Sequence, residues 1–396
     1  MDEELKRIVE DYLSLQESDE NARRKNLWKT ELTASLVASV GLSPRRVPKP
    51  RAEVGVPIIA DTSVSIWREV FNYSVEDYYT NPRTWLVNYL KASIAHFKLG
   101  DDTYLSRSIG FFPGAGMESS LFGMPSVYDP MEEPAVGRHC VLQRREDLDG
   151  LSYPDFFRSG AMPLLHRVYE ECSAALEGSG LQVLFSEITR GPYGVAFHIR
   201  GFTDLAIDTI DDPEWVQRLM RFLTDCHKKW YQDRSSFLGE PIPLGLLYND
   251  EIDLNIIPPY IYDQFIFSYE KELADFHDGI AYWHSCGKIS PILYQIRQLP
   301  GIHMIKISSW NNYREATQIC PDIPLEICVN ATDYIQLADE RKMADKVSEI
   351  LNTCEETGVD AFIIRSEPLQ RISENVNNDL SRIQQWISTA RRLTER

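Results

Sequence analysis

A histidine and a cysteine two residues apart, His284 and Cys286, are the residues of this chain best suited to metal chemistry. They end an apolar run, residues 280–283, that is typical of a short buried strand, and Gly287 follows them. Because alternate side chains of a strand point the same way, His284 and Cys286 are predicted to share one face. An imidazole and a thiolate held together bind a soft or borderline ion, most naturally zinc. The alternative is a strand end at which both side chains merely pack.

The elements that must position this pair follow a regular alternation, because short apolar runs alternate with helical patterns from residue 57 onwards. The predicted strands are 57–61, a weaker one within 104–112, 181–186, 244–249, 280–287, 302–307, 324–329 and 361–364. Eight strands, each followed by a helix, predict a closed parallel (β/α)8 TIM barrel, with an open doubly wound sheet as the alternative. No Gly-x-Gly-x-x-Gly fingerprint follows a strand, so a dinucleotide site of that kind is not indicated.

Residues 1–50 are predicted to form a helical extension that precedes the barrel domain, 51–396. Helical periodicity covers 3–15 and 21–40, the second with Leu27, Leu32, Leu36 and Val37 on one side, and a linker rich in proline and arginine then breaks it. The pattern of the final helix begins at Ile372. The extension is expected to pack either on its own barrel or on a second subunit, so a homodimer is one expectation. The long irregular region 113–160 is expected to be functional or a small subdomain.

Composition excludes several classes of partner. The formal net charge of the 396-residue chain is −18, without a basic tract, which argues against nucleic acid and against an anionic membrane surface. No apolar run approaches the length of a membrane span, and the acidic N-terminus is unlike a signal peptide. The seven cysteines are scattered and odd in number, which predicts free thiols and a cytoplasmic location.

In a parallel barrel the chemistry lies where the strands end. The polar side chains that directly follow the predicted strands are Asp61, Ser186, Glu187, Asn249, Asp250, Glu251, His284, Cys286, Ser308, Ser309, Cys328, Asn330 and Glu367. A catalytic zinc ion usually has three protein ligands, so another strand end must supply the third. Glu367, Cys328 and Glu251 compete for this role, in that order of preference. Asp250 and Glu251 can instead stabilise a helix N-terminus.

The remaining histidines and Arg200 are weaker candidates. His198 lies among apolar residues and is interpreted as a core or pocket histidine. His227 and His277 lie near charged residues on predicted helices and are interpreted as solvated. Arg200 is predicted either to hold a substrate carboxylate near the rim or to form a structural salt bridge.

A series of motifs in order along the chain resembles the uroporphyrinogen decarboxylase-like superfamily. These motifs are Arg46-Val47-Pro48, Gly100-Asp101-Asp102, Phe185-Ser186, Gly191-Pro192, Arg200-Gly201-Phe202, Asp212-Pro213-Glu214, Asn249-Asp250-Glu251 and His284-Ser285-Cys286-Gly287. The resemblance covers most of residues 45–396 and implies the (β/α)8 fold. It also implies one of two activities, the decarboxylation itself or methyl transfer by a branch of zinc enzymes that work with corrinoid proteins, coenzyme M or related thiols.

Two segments separate these branches. The decarboxylase carries an Arg-Gln-Ala-Gly-Arg type segment after its first strand, whereas residues 60–65 here contain no arginine. The methyltransferase branch places His-x-Cys after strand five, as here, and its third ligand is a cysteine in a Pro-Gly-Cys-Gly type loop after strand eight. This chain has Glu367 nearest that position, and a carboxylate there favours substrates bound through oxygen or nitrogen, such as a methoxylated aromatic or a methylated amine.

The resemblance therefore implies a zinc-dependent methyltransferase that moves a methyl group between a small substrate and a cobalamin. His284, Cys286 and Glu367 are the predicted zinc ligands, with Cys328 as the alternative, and Glu251 or Asp250 positions the substrate or acts as general acid or base. The cobalamin is expected on a separate corrinoid protein, because the chain has no Asp-x-His-x-x-Gly run.

The predicted substrate-binding residues are Asp61, Asn249, Arg200 and Tyr248. Two other functions remain open at this point. One is a metal-free lyase or decarboxylase of the same fold, with these residues around its substrate. The other is a non-catalytic binding protein whose pocket has lost its chemistry.

Overall fold

Eight parallel strands follow one another along the chain in a computed structural model that describes residues 2–29, 42 and 44–395. In chain order they are β1 Ile58–Ile59, β2 Ser108–Gly110, β3 Gln182–Leu184, β4 Gly245–Tyr248, β5 Ile280–His284, β6 Ile305–Ile307, β7 Leu325–Val329 and β8 Phe362–Ser366. Each lies inside one of the eight predicted segments or overlaps it closely. The largest difference is in β8, which continues two residues beyond the prediction.

The strands form two parallel arcs. Six strands pair in the order β1-β8-β7-β6-β5-β4, and β2 pairs with β3. A parallel bridge between Arg190 and Tyr248 joins the segment after β3 to β4. At the other end, the amide of Asp102 donates to the Ile58 carbonyl of β1 at 2.9 Å. The predicted (β/α)8 TIM barrel is thereby confirmed.

Helices surround the strands and also precede them. Their bounds are α1 Glu3–Gln16, α2 Asp19–Asn26, α3 Arg51–Val54, α4 Val64–Phe71, α5 Val75–Thr80, α6 Pro82–Phe97, α7 Met117–Ser120, α8 Met162–Ala175, α9 Pro192–Arg200, α10 Phe202–Asp211, α11 Pro213–Leu238, α12 Pro259–Ile261, α13 Phe267–Phe276, α14 Leu293–Ile296, α15 Tyr313–Ile319, α16 Glu340–Thr357 and α17 Val376–Thr394. One turn of π-helix, Tyr262–Ile266, joins α12 to α13, and another, Thr332–Gln336, follows β7. Short 3-10 turns cover Arg145–Gly150 and Ser290–Ile292.

Local sequence signals explain where two of these helices begin and end. Asn81 precedes α6 and its Oδ1 accepts from the amide of Thr84 at 3.0 Å, while Pro82 occupies the first helical position. Asp339 caps α16 in the same way, and Gly358 ends it with a φ of 76°, a left-handed conformation that glycine adopts readily.

The N-terminal helices pack on the barrel of their own chain. Helix α1 buries Leu5, Ile8, Val9 and Tyr12 and lies against α6. The Tyr12 hydroxyl donates to the Ser106 carbonyl at 2.8 Å. Helix α2 starts two residues before the predicted 21–40 segment and ends at Asn26. The expected apolar residues Leu32, Leu36 and Val37 lie outside the described residues.

Two further predictions differ in detail. The long region 113–160 contains helix α7, a short antiparallel hairpin of Ser126–Val127 with Ala135–Val136, and one 3-10 turn. The last helix begins at Val376, so Ile372, predicted as its first apolar position, precedes it and is exposed. In the part of the chain that the structure describes, no helix is long and apolar enough to cross a membrane.

Candidate metal centre

Three side chains converge at the carboxyl ends of β4 and β5. Nε2 of His284 lies 3.0 Å from Oδ1 of Asp250 and 3.3 Å from Sγ of Cys286. One nitrogen, one oxygen and one sulfur, all within 4.8 Å of one another, form a potential ligand set for a metal ion. These donor types suit zinc, which takes imidazole, carboxylate and thiolate ligands in tetrahedral sites.

The turn after β5 brings Cys286 back towards His284. The strand ends at His284, so Cys286 lies beyond the regular pleat, and its amide lies 3.3 Å from Asp250 Oδ1. Ser285 fixes the turn by donating to the Ile252 carbonyl at 2.8 Å. A side chain at Gly287 would have its Cβ 2.5 Å from Cβ of Asp253, so glycine is required for this close approach.

A hydrogen-bond chain fixes the orientation of the His284 ring. The Tyr282 hydroxyl donates to Oε1 of Glu326 at 2.5 Å and lies 3.2 Å from Nδ1 of His284. Because the hydroxyl proton goes to Glu326, the Tyr282 oxygen can accept a hydrogen bond from Nδ1 of His284, and this tautomer leaves a lone pair on Nε2. Such a partner on the second ring nitrogen accompanies most histidine metal ligands. The ring of Tyr248 also stacks on His284, with 4.6 Å between centroids.

The pKa shifts of the three side chains are compatible with zinc binding. Burial, with the nearby Lys306 ammonium, lowers the pKa of His284 to about 4, so the ring is neutral at pH 7. Burial opposes ionisation of Asp250, but the interactions with His284, Arg190 and Lys306 together outweigh it, and the pKa of Asp250 is lowered. Although Cys286 is partly accessible to solvent, the loss of water around its sulfur and the nearby Asp250 raise the pKa of this thiol to about 12 in the absence of a metal ion. Binding of a cation would therefore displace the thiol proton.

The three side chains open into a cavity of about 190 Å³ at the carboxyl ends of the strands. Its lining residues are Arg45, Asp61, Thr62, Ser63, Phe112, Ala115, Glu118, Glu133, Thr189, Arg190, Tyr248, Asp250, His284, Cys286, Lys306 and Pro368. Of the predicted substrate-binding residues, Asp61 and Tyr248 therefore line the cavity. The space suits a small molecule held by several polar groups.

Below the cavity, the barrel interior holds a network of buried ion pairs. Arg365 binds Glu326 at 2.8 Å and Asp61 at 3.3 Å, and Arg45 binds the same two carboxylates at 3.7 and 3.0 Å. Burial opposes ionisation of Glu326, but the two guanidinium groups lower its pKa to about 2. Sequence reasoning missed this network. A signal was present, because Lys306 and Glu326 interrupt otherwise apolar strands.

Glu251, predicted as acid, base or ligand, is engaged away from the three converging side chains. Its carboxylate binds the Arg190 guanidinium and lies 2.9 Å from Nε2 of His198. Nδ1 of His198 lies 2.7 Å from the Ser119 hydroxyl, which is fully buried. The ion pair with Glu251 thus holds Arg190 at the cavity wall. The sequence analysis did not single out this arginine.

The other two candidates for the third ligand also lie elsewhere. Glu367 accepts hydrogen bonds from the amide and hydroxyl of Ser309 at 3.1 and 2.7 Å. Cys328 is buried in β7, with its Sγ 3.9 Å from Glu326 Oε1. Neither belongs to the group of three side chains that includes Asp250.

Two predicted substrate-binding residues are buried outside the cavity lining. Asn249 donates to Glu270 at 2.7 Å and is fully buried. Arg200, at the end of α9, donates to Asp208 at 2.8 Å and to the Leu142 carbonyl at 2.9 Å. Of the two interpretations of Arg200, the contacts match the structural salt bridge.

The interpretation of His227 and His277 as solvated residues is wrong. Both rings are buried, and their Nε2 atoms lie 3.0 Å apart. His277 Nδ1 also lies 2.8 Å from the Pro243 carbonyl oxygen. Helix α11 packs against α13, which His277 follows, and the helical periodicity of the sequence did not show this packing.

Comparison with known proteins agrees with this fold. Residues 108–366 match the sequence model of the family described as "Uroporphyrinogen decarboxylase (URO-D)". No curated protein sequence matches the chain significantly. Among solved structures, a methyltransferase from Methanosarcina mazei is similar with a TM-score of 0.63 at 15% sequence identity, and the alignment covers 86% of this chain and 94% of that one. At this identity, the likeness concerns the fold.

Proposed function

The chain belongs to the uroporphyrinogen decarboxylase family, and we propose that it is a zinc-dependent methyltransferase of a corrinoid-linked system. It would move a methyl group between a small substrate and a cobalamin carried by a partner protein. The single observation that carries this proposal is the convergence of Asp250 and Cys286 on Nε2 of His284.

The proposed ligand set is His284, Cys286 and Asp250, with Asp250 in the role predicted for Glu367. Three protein ligands leave a fourth position open for the substrate, as in catalytic zinc sites. Bound zinc supplies a Lewis acid that polarises the substrate heteroatom. One imidazole, one carboxylate and one thiolate give a harder ligand set than a site with two cysteines. This difference supports a substrate bound through oxygen or nitrogen.

The residues around the ligands have distinct roles in this proposal. Tyr282 and Glu326 keep the His284 ring oriented towards the cavity. Asp61 and Tyr248 line the space beside the ligands and would contact the substrate. The polar walls would fix the substrate so that the methyl group faces the open end of the barrel, where the cobalt of a docked corrinoid protein can reach it.

Decarboxylation of a porphyrinogen is disfavoured by the same cavity. The guanidinium groups of its lining are engaged by carboxylates of the chain itself, Arg45 by Asp61 and Arg190 by Glu251. They are therefore poorly placed to bind several substrate carboxylates. A cavity of about 190 Å³ is also small for a tetrapyrrole. The free state of all seven cysteines suits a reducing compartment, which supports the proposed cytoplasmic location.

Metal analysis and a transfer assay test the proposal together. Purified protein is expected to contain about one zinc ion per chain, and the variants His284→Ala and Cys286→Ser are expected to lose it. Methyl transfer to free cob(I)alamin from a panel of methoxylated aromatics and methylated amines can be followed by the absorbance of the cobalt species. Wild-type protein that folds without zinc in zinc-replete medium would contradict the proposal. Turnover that survives chelation would favour a metal-free lyase.

A further inference from the structure

Lys306 places a buried ammonium group against the sulfur of Cys286. The residue lies in the middle of β6, is only 1% exposed and lines the same cavity as the proposed ligands. Its Nζ donates to Sγ of Cys286 at 3.2 Å. Among the residues that the structure describes, this sulfur is the one hydrogen-bond or ion-pair partner of the ammonium.

A buried cation of this kind needs an anionic acceptor. Removing an ammonium group from water is strongly unfavourable unless a charge or a strong acceptor compensates it. A neutral thiol is a weak acceptor, whereas a thiolate that binds a metal ion retains negative charge on sulfur. The position of Lys306 is therefore best explained by Cys286 acting as a thiolate ligand.

We propose that Lys306 is a positioning residue of the metal centre, whose N–H···S hydrogen bond holds the Cys286 thiolate and lowers its reactivity towards electrophiles. This inference rests on the proposed metal site. The proposed chemistry explains why this hydrogen bond would be needed, because an activated methyl group would come close to the nucleophilic sulfur of Cys286. A hydrogen bond that withdraws electron density from sulfur protects the ligand from methylation and leaves the ion a stronger Lewis acid.

The competing reaction is a simple substitution at carbon. Sγ of Cys286 forms a bond to the electrophilic carbon, and the bond from that carbon to its leaving group breaks, with the electron pair going to the leaving group. Iodoacetamide reports on the same reactivity, since iodide is its leaving group. Cys286 is the exposed cysteine of the described chain, whereas five others are buried and Cys140 is half-buried. Peptide mapping can therefore assign the alkylation.

The experiment compares Lys306→Met, which removes the donor, with Lys306→Arg, which keeps one. Lys288→Met is the matched control, because Lys288 is an exposed cation two residues from Cys286 whose ammonium forms no hydrogen bond or ion pair with any residue that the structure describes. At fixed pH and saturating zinc, Cys286 of Lys306→Met is expected to react about tenfold faster than in wild type. Lys306→Arg and Lys288→Met are expected to stay near the wild-type rate.

Cobalt substitution gives a second readout that a purely structural role would not move. In Lys306→Met the sulfur-to-cobalt charge-transfer band is expected at longer wavelength, because the sulfur electrons are held less tightly. Lys306→Ala, which also removes the donor, replaces the methionine variant if that one does not fold. Equal alkylation rates and equal bands in zinc-binding wild type and variant would overturn the inference alone. Absence of metal from the wild type would instead overturn the proposed function.

Discussion

Oδ1 of Asp250 lies 3.0 Å from Nε2 of His284, although 34 positions separate the two residues in the sequence. In the tautomer that donates to Tyr282 through Nδ1, the Nε2 lone pair of His284 faces this carboxylate. Two electron-rich atoms at this distance repel each other unless a proton or a cation lies between them. A divalent ion, with the Cys286 sulfur as a further ligand, removes this conflict.

The identity of the third ligand can be tested by a pair of carboxylate-to-amide substitutions. Asp250→Asn keeps the shape of the side chain but removes its charge, and we expect zinc affinity to fall by at least about 100-fold. Glu367→Gln is the matched control, because Glu367 contacts Ser309 rather than His284. Competition with a chromophoric chelator measures both. A loss confined to Glu367→Gln would return the role to the residue that the sequence analysis preferred.

Removal of the Tyr282 hydroxyl should weaken the centre without touching a ligand. Tyr282→Phe leaves the Nδ1 proton of His284 without its acceptor, so the ring loses its fixed orientation. We expect about a tenfold loss of zinc affinity, the usual effect of such outer partners. Tyr313→Phe removes another buried hydroxyl, which donates to the Cys328 carbonyl at 2.7 Å, and should leave zinc affinity unchanged. Equal affinities for both variants would remove Tyr282 from the centre.

The buried histidine pair predicts a loss of stability in acid. Burial and contact with His277 lower the pKa of His227 well below its ordinary value, and burial lowers that of His277 to about 4. The stability that neutral rings provide is therefore present above pH 6.5 and is lost as the pH falls towards 4. With a pKa of about 4, His277 accounts for about 2 kcal/mol between pH 7.5 and 5, and the lowered pKa of His227 adds to the loss.

Urea unfolding at pH 7.5 and 5 measures this loss. His227→Gln can still donate to His277 but does not titrate, so between these pH values its free energy of unfolding should fall by less than that of wild type. His139→Gln changes an exposed histidine and serves as the control. An unchanged pH dependence in His227→Gln would show that the pair does not carry the acid sensitivity.

Breaking the ionic network inside the barrel should be costly. Arg365→Met leaves Glu326 and Asp61 with Arg45 as their remaining guanidinium partner. We expect a loss of about 3 kcal/mol in the free energy of unfolding, because removal of one member of a buried ion pair leaves an uncompensated charge. Arg341→Met, at an exposed pair with Asp345, should change stability by no more than about 0.5 kcal/mol. Similar denaturation midpoints for the two variants would contradict this view of the network.

The sequence predicted the strands and the His284–Cys286 pair because both depend on local patterns. Apolar runs locate a buried strand, and the spacing of two predicted that the pair would lie together. The turn after β5, rather than the pleat of the strand, brings Cys286 to His284. The contact of His284 with Asp250, which follows the neighbouring strand, was not predicted, because it depends on geometry that no local pattern contains. Asp250 and Glu251 are adjacent after β4, yet one reaches His284 and the other binds Arg190. Only the turn conformation and the β4–β5 register separate them.

Charged residues inside strands were missed for a related reason. An apolar run with one interruption, such as Ile305-Lys306-Ile307, still predicts a strand, so the lysine carries no weight in finding the element. The lysine becomes informative when it is considered together with Glu326, its register partner in the neighbouring strand, because both side chains are buried inside the barrel. A pair of ionic interruptions in neighbouring strands is thus a sign of a polar core that can be sought before a structure exists.

The ion-pair network of Arg45, Asp61, Glu326 and Arg365 has a consequence for laboratory evolution. Hydrocarbon replacements of a complete buried ionic cluster are often neutral or stabilising in other proteins. A screen for heat resistance alone would therefore reward variants that exchange the whole cluster for aliphatic side chains. Such variants would also lose Glu326, the acceptor of the Tyr282 hydroxyl. Selection for thermal stability without a parallel metal-binding assay would therefore favour barrels in which the proposed metal centre is weakened.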